Sequence, residues 1–200
     1  MDADAAEHGT RRRHHGVSPG EDGPLTTIDR ALLESRIRDV PDFPKPGIVF
    51  KDVTPLLADP AAFAHAIEAM SEAFCDEGID KVVGIEARGF ILAAPVALAC
   101  GAGFVPARKA GKLPAARRGV SYELEYGSET IELHDDAFSP GDRVLIVDDV
   151  LATGGTAAAT VELVETLGGE VVGLAFLIEL GFLDGAARLS LRRHLSLLTF

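Results

Sequence analysis

The chain has 200 residues, 47% of them hydrophobic, and a formal net charge of −12 at pH 7. That length suits one domain with a core of its own, and the acidic balance excludes general nucleic-acid binding, because nothing global would offset phosphate repulsion. The polar opening, with Arg11-Arg12-Arg13 and no apolar stretch, does not read as a signal peptide.

Residues 1–25 are poor in apolar side chains and rich in charge, His, Gly and Pro, the composition of a disordered tail. Residues 26–200 are expected to form a single domain. Leu32, Leu33 and Ile37 give residues 28–40 helical spacing. Pro41, Pro44, Pro46 and Gly47 force residues 41–47 into an irregular loop, and residues 48–50 follow as a short extended piece. Asp59-Pro60 is a capping pair that opens a helix running to about Cys75.

From there strands and helices alternate. Residues 81–85 read as a strand, 90–99 as a helix and 104–108 as a strand. The uncharged run from Gly89 to Ala107 has the length of a membrane span, but Pro95, Pro106 and Gly101-Ala102-Gly103 divide it into a buried helix and a buried strand. No membrane contact is therefore expected. A polar, basic loop reaches to about Gly119. Residues 121–126 and 130–134 read as two strands of a hairpin around Gly127. Val144-Leu145-Ile146-Val147 is a buried parallel strand, followed by an alanine-rich helix over 157–164 and strands at 171–179 and 195–200. Cys75 and Cys100, far apart and without His partners at metal spacing, read as buried thiols of a reducing compartment, so a cytoplasmic protein is expected.

Strand–helix alternation predicts a mainly parallel α/β sheet with right-handed crossovers and helices on both faces. Ligands of such sheets bind at the carboxyl ends of the strands. That places Glu86-Ala87-Arg88-Gly89, Arg108-Lys109 and Asp148-Asp149 on one rim.

The segment Val144 to Thr156 carries the most chemistry. Asp148 and Asp149 stand where the apolar strand should end, and Thr153-Gly154-Gly155-Thr156 opens the next helix. A strand, a glycine turn and a helix present free backbone N–H groups and the positive end of the helix dipole to a phosphate. Two acids one ribose away are suited to accept from neighbouring hydroxyls, so a sugar phosphate fits better than a nucleoside triphosphate. A Walker pair is ruled out because Gly111-Lys112 is followed by Leu113. Gly101-Ala102-Gly103 lies between helix and strand, the wrong order for a dinucleotide site.

This segment resembles the phosphoribosyl-pyrophosphate (PRPP) motif of the type I phosphoribosyltransferases. Four further segments occur in the order of that family's adenine-specific branch: residues 43–52 (FPKPGIVFKD), 84–90 (GIEARGF), 108–114 (RKAGKLP) and 122–127 (YELEYG). The resemblance covers about Arg36 to Gly181. It implies the type I fold, a small hood over residues 26–58 contributing to the base site, a mobile lid over 110–120, and a homodimer. It also implies the reaction adenine + PRPP → AMP + pyrophosphate, with Mg²⁺ held mainly through substrate and water. By the same resemblance, Ala152, Thr153, Gly154, Gly155 and Thr156 hold the 5′-phosphate. Asp148 and Asp149 take the ribose hydroxyls, and Arg88, Arg108, Lys109 and Lys112 the pyrophosphate. Val49, Phe50, Lys51 and Val150 surround adenine, Glu125 exchanges a proton at N7, and Tyr126 helps close the lid. Read from the residues alone, Glu86 either orients Arg88 or caps a helix, and Phe50 serves equally as core. Two other functions stay open at this stage: transfer to another purine such as xanthine or hypoxanthine, and a PRPP-sensing regulator without turnover.

Overall fold

The apolar run at Val144 is the middle of a nine-residue strand, β7 (Arg143–Leu151), buried at every position from Val144 to Val147. The computed structural model describes residues 28–123, 127–189 and 192–200; the expected tail at 1–25, and Glu125 and Tyr126, lie outside them. Beside β7 stand β3 (Lys81–Ile85) and β8 (Glu170–Glu179), both parallel to it. The sheet continues to β4 (Gly103–Lys109) on one side and β9 (His194–Thr199) on the other, again in parallel. An antiparallel hairpin, β5 (Arg117–Glu123) with β6 (Ser128–His134), extends the edge next to β4, giving the order β5-β6-β4-β3-β7-β8-β9.

Alternation along the strands divides the core in two. Val82, Leu145 and Val147 face one cluster with Leu92, Val96, Met70 and Phe74, which belong to helices α3 (Pro60–Phe74) and α4 (Gly89–Ala99). Val83, Ile146 and Leu174 face the other, with Val161, Leu163 and Val164 of α5 (Gly155–Thr166). The helix after β3 therefore covers one face and the helix after β7 the opposite face. Their loops part between β3 and β7, which is where an open α/β sheet forms its ligand crevice.

Several boundaries differ from expectation. The helix expected over 28–40 ends early: α1 spans Arg30–Glu34, capped by Asp29, and β1 spans Arg38–Pro41. Residues 38–41 are extended because they pair with β2 (Val49–Asp52), a partner that helical spacing cannot reveal, and Arg38 Nε donates to Asp52 at 3.0 Å. A short α2 (Thr54–Ala58) precedes α3, whose cap is as expected: the Asp59 carboxylate accepts from the N–H groups of Ala61 and Ala62. The expected lid is a loop only in its first part, since Arg117 to Val120 pair with His134 to Ile131 in the β5–β6 ladder. Its loop portion is also tied down. Gly111 N–H donates to Glu132, Arg117 to the Leu113 carbonyl, and Leu113 is buried.

The cysteines are not free thiols. Cys75 and Cys100 form a disulfide between the ends of α3 and α4, with Cα atoms 4.8 Å apart. Their separation of 25 residues hid the fact that both helices lie on one face of the sheet. Paired in this way, the two cysteines give no sign of a reducing compartment. Among the described residues, no helix is long and apolar enough to cross a membrane.

Candidate active site

Strand β7 does not stop at the acids. It runs through Asp148 and Asp149 to Leu151, because β8 keeps pairing, Val150 with Ile178 and Leu151 with Glu179. The chain then turns at Gly154, in the left-handed region at φ +78°, and α5 begins at Gly155. Its first-turn N–H groups have no partners within the helix, so the turn leaves donors for an anion. A contact invisible in the sequence braces this loop. A Cβ on Gly154 would lie 2.3 Å from the Gly185 carbonyl, and one on Gly185 would lie 2.1 Å from the Ala152 carbonyl. The short 3₁₀ turn Gly185–Leu189 thus packs backbone against backbone on the glycine loop.

Asp149 is buried, 6% exposed, and Asp148 is partly so. The Asp149 N–H donates to Asp148 Oδ1 at 2.8 Å, and Arg88 Nε pairs with Asp149 Oδ2 at 2.7 Å. Burial pushes the Asp148 carboxyl well above its ordinary value, and the neighbouring Asp149 charge adds to the rise. Burial also raises Asp149, with Arg88 opposing. The pair therefore resists carrying two negative charges, as close buried carboxylates do. Gly89 makes the fit possible: a Cβ there would lie 2.7 Å from Asp148 Oδ1.

Glu86, at the exit of β3, pairs not with Arg88 but with Arg108 and Lys112. Arg108 Nε lies 3.3 Å from Oε2, Lys112 Nζ donates to Oε1, and the Lys109 N–H donates to Oε2 at 3.0 Å. Burial works against its charge, yet Lys112, the Lys109 N–H and Arg108 together pull Glu86 down to about 2. The four expected pyrophosphate cations therefore stand in two positions. Arg88 and Lys109 line the cavity described next, while Arg108 and Lys112 gather on Glu86, itself a lining residue.

That cavity measures about 1100 Å³. One wall is Asp148, Asp149 and Val150 with Ala152, Thr153 and Thr156 of the glycine loop. The facing wall is the β1–β2 hairpin, with Val49, Phe50 and Lys51. Phe50 packs edge-on against Phe43 with ring centroids 5.2 Å apart, and the Arg88 guanidinium lies 5.4 Å from its ring. It is therefore a half-buried wall of the cavity and not core. Lys51 pairs with Asp39 at 2.7 Å and lies 4.1 Å from the Phe200 ring. The reading of the sequence missed Leu180, Phe182, Leu183 and Phe200, which close the apolar end. The 76% exposure of Phe182 marks it as a rim residue. No motif flags them: Leu180 lies outside the five matching segments, and Phe182, Leu183 and Phe200 belong to the last twenty residues, where the resemblance is loose.

A crevice at a switch point, with a glycine loop at a helix start, paired acids and an apolar wall, suits a sugar phosphate joined to a flat apolar group. The phosphoribosyl transferase domain family matches residues 52–195. The adenine phosphoribosyltransferase of Myxococcus xanthus is 62% identical over 170 residues, spanning 85% of this chain and 92% of that protein. The crystal structure of the adenine phosphoribosyltransferase of Rhodothermus marinus superposes with a TM-score of 0.82 at 57% identity, covering 86% of this chain and 98% of that one. The APRTase of Giardia lamblia complexed with 9-deazaadenine gives 0.81 at 40% identity, covering 87% and 99%. This chain belongs to the adenine phosphoribosyltransferases.

Proposed function

We propose that the protein transfers the 5-phosphoribosyl group of PRPP to N9 of adenine, forming AMP and releasing pyrophosphate. The observation that carries this reading is that one cavity joins three surfaces: the start of a glycine-opened helix, the acids Asp148 and Asp149, and the hairpin that carries Phe50. In this reading the loop from Ala152 to Thr156 holds the 5′-phosphate, and Asp148 and Asp149 accept from the ribose diol. Arg88 and Lys109 meet the pyrophosphate, with Arg108 and Lys112 adding charge beside Glu86. Adenine lies between Phe50 and Val150, its amino edge read by the Val49 backbone, with Lys51 beside it. We assign Glu125 to proton exchange at N7 and Tyr126 to closure, on the family resemblance.

The chemistry needs no side-chain nucleophile. As the bond from C1′ to the pyrophosphate oxygen breaks, its electron pair leaves with pyrophosphate and positive charge develops on the ribose. N9 of the N7–H tautomer then bonds to C1′ through its ring lone pair, as the N7 proton passes to the carboxylate assigned there, Glu125. Cations at the leaving group stabilise this charge separation most where it is greatest, in the transition state. Asp148 and Asp149 offer the hard oxygen acceptors that suit magnesium held through waters and substrate oxygens. The metal, when bound, neutralises charge on the leaving pyrophosphate.

We also propose a homodimer through α4. This helix is apolar on all sides, yet only one side meets the sheet. Leu98 is 83% exposed, and Ile91 and Phe104 stand out beside it. A helix apolar all round is ordinarily buried all round.

Turnover of adenine, hypoxanthine and xanthine with PRPP and Mg²⁺ tests the activity. Adenine is expected to exceed either oxo-purine in kcat/KM by at least about 10²-fold. Equal or greater turnover of an oxo-purine would overturn the base assignment.

A further inference from the structure

Each of the four cations assigned to pyrophosphate already faces a carboxylate. Arg88 faces Asp149, Arg108 and Lys112 face Glu86, and Lys109 faces Glu129. Asp149 and Glu86 are fixtures, each with a side chain 8% exposed. Glu129 is different. Its side chain is 34% exposed and belongs to β6, next to the hairpin tip.

The Glu129 carboxylate stands at the cavity wall with its two oxygens divided. Oε1 accepts from Lys109 Nζ at 2.8 Å, and Oε2 accepts from the Tyr122 hydroxyl at 3.1 Å. Tyr122 and Glu129 are opposite each other in the β5–β6 register. The Tyr122 ring rests on the glycine loop, with Cδ2 3.4 Å from where a Gly155 Cβ would be, and its hydroxyl also faces Thr156. A line of contacts, Thr156 to Tyr122 to Glu129 to Lys109, therefore spans the cavity from the 5′-phosphate end to the leaving-group end. The Lys109 hydrogen bond keeps Glu129 below its ordinary value, and Glu129 raises Lys109, so the contact is an ion pair at neutral pH.

Resting on the reading above, we propose that Glu129 is a positioning residue that stands in for a phosphate. It holds Lys109 and Tyr122 at the cavity wall, yields Lys109 to the pyrophosphate of PRPP, and takes it back as pyrophosphate leaves. Partly exposed ion pairs are weak, so a polyanion displaces one at small cost. A carboxylate left beside that polyanion also repels it, which favours product release.

Glu129→Gln tests this, because it keeps an acceptor for Tyr122 and removes the charge. Calorimetric titration with magnesium pyrophosphate is expected to show a Kd about 2- to 10-fold tighter than wild type. The KM for PRPP should fall with it, while kcat falls as product release slows. An unchanged or weaker pyrophosphate Kd would overturn the proposal. If Glu129→Gln melts far below wild type, Glu129→Asp, which shortens the reach to Lys109 but keeps the charge that repels the polyanion, is expected to tighten pyrophosphate binding by less than Glu129→Gln but measurably. A wild-type protein that binds no pyrophosphate removes both this proposal and the phosphoribosyl reading. Wild-type binding without tightening in either variant removes this proposal alone.

Discussion

Asp148→Asn will melt at a higher temperature than wild type near neutral pH while losing most of its turnover. Burial and the Asp149 charge lift the native Asp148 carboxyl well above 3.8. A carboxyl whose native pKa is raised binds its proton more tightly folded than unfolded. Its ionisation therefore costs stability as pH rises from about 3.8 through the native value. Asparagine removes that cost and still offers an Oδ1 acceptor to the Asp149 N–H. Each unit by which folding raises a carboxyl is worth about 1.4 kcal/mol, and each kcal/mol moves the melting temperature by about 2–4 °C in a chain of this size. The gain should shrink as pH falls toward 4, which melting curves of both proteins across pH 4–8 will show. A gain independent of pH would contradict the account. Activity should move the other way. With one of the two acceptors proposed for the ribose diol replaced, kcat/KM is expected to fall by about 10²-fold or more.

Gly154→Ala will damage both the fold and PRPP binding. Its φ of +78° makes any side chain unfavourable, and the added Cβ would meet backbone, 2.3 Å from the Gly185 carbonyl oxygen and 3.1 Å from its carbon. Backbone cannot rotate away, so either the glycine loop or the turn Gly185–Leu189 must shift. The left-handed conformation alone costs about 1–2 kcal/mol, and the displacement adds to it. The KM for PRPP is expected to rise at least about 10-fold, because 1 Å of misplacement at a positioning site can cost about 10²-fold. Gly141→Ala is the matched control. It also has positive φ, +84°, but nothing lies within 4 Å of its Cβ and it is remote from the cavity. It should lose stability and keep the wild-type KM. A Gly154→Ala enzyme with normal KM would show that the brace from Gly185 is dispensable.

What the sequence revealed follows from the range of each interaction. β3, α4 and the start of β7 were legible because burial imposes long apolar runs on a central parallel strand and its covering helix. The cap at Asp59 was legible because capping is local. What was hidden depends on partners distant along the chain. Strand β7 extends past the acids only because β8 extends beside it. Residues 38–41 become a strand only because residues 49–52 lie across from them. The disulfide, the clasp of Gly185 on Gly154, and the reach of Glu129 to Lys109 all join segments that no spacing rule connects. In the site itself, residue types carried the acids and the glycine loop. They did not show that Glu86 would hold Arg108 and Lys112, or that residues near Phe182 would close the apolar end.

A crystal structure with AMP tests the central claim most directly. The account predicts the 5′-phosphate on the amides between Ala152 and Thr156, both ribose hydroxyls within hydrogen-bond distance of Asp148 and Asp149, and the base beside Phe50. A nucleotide bound elsewhere, or a phosphate turned away from the Gly154 loop, would contradict it.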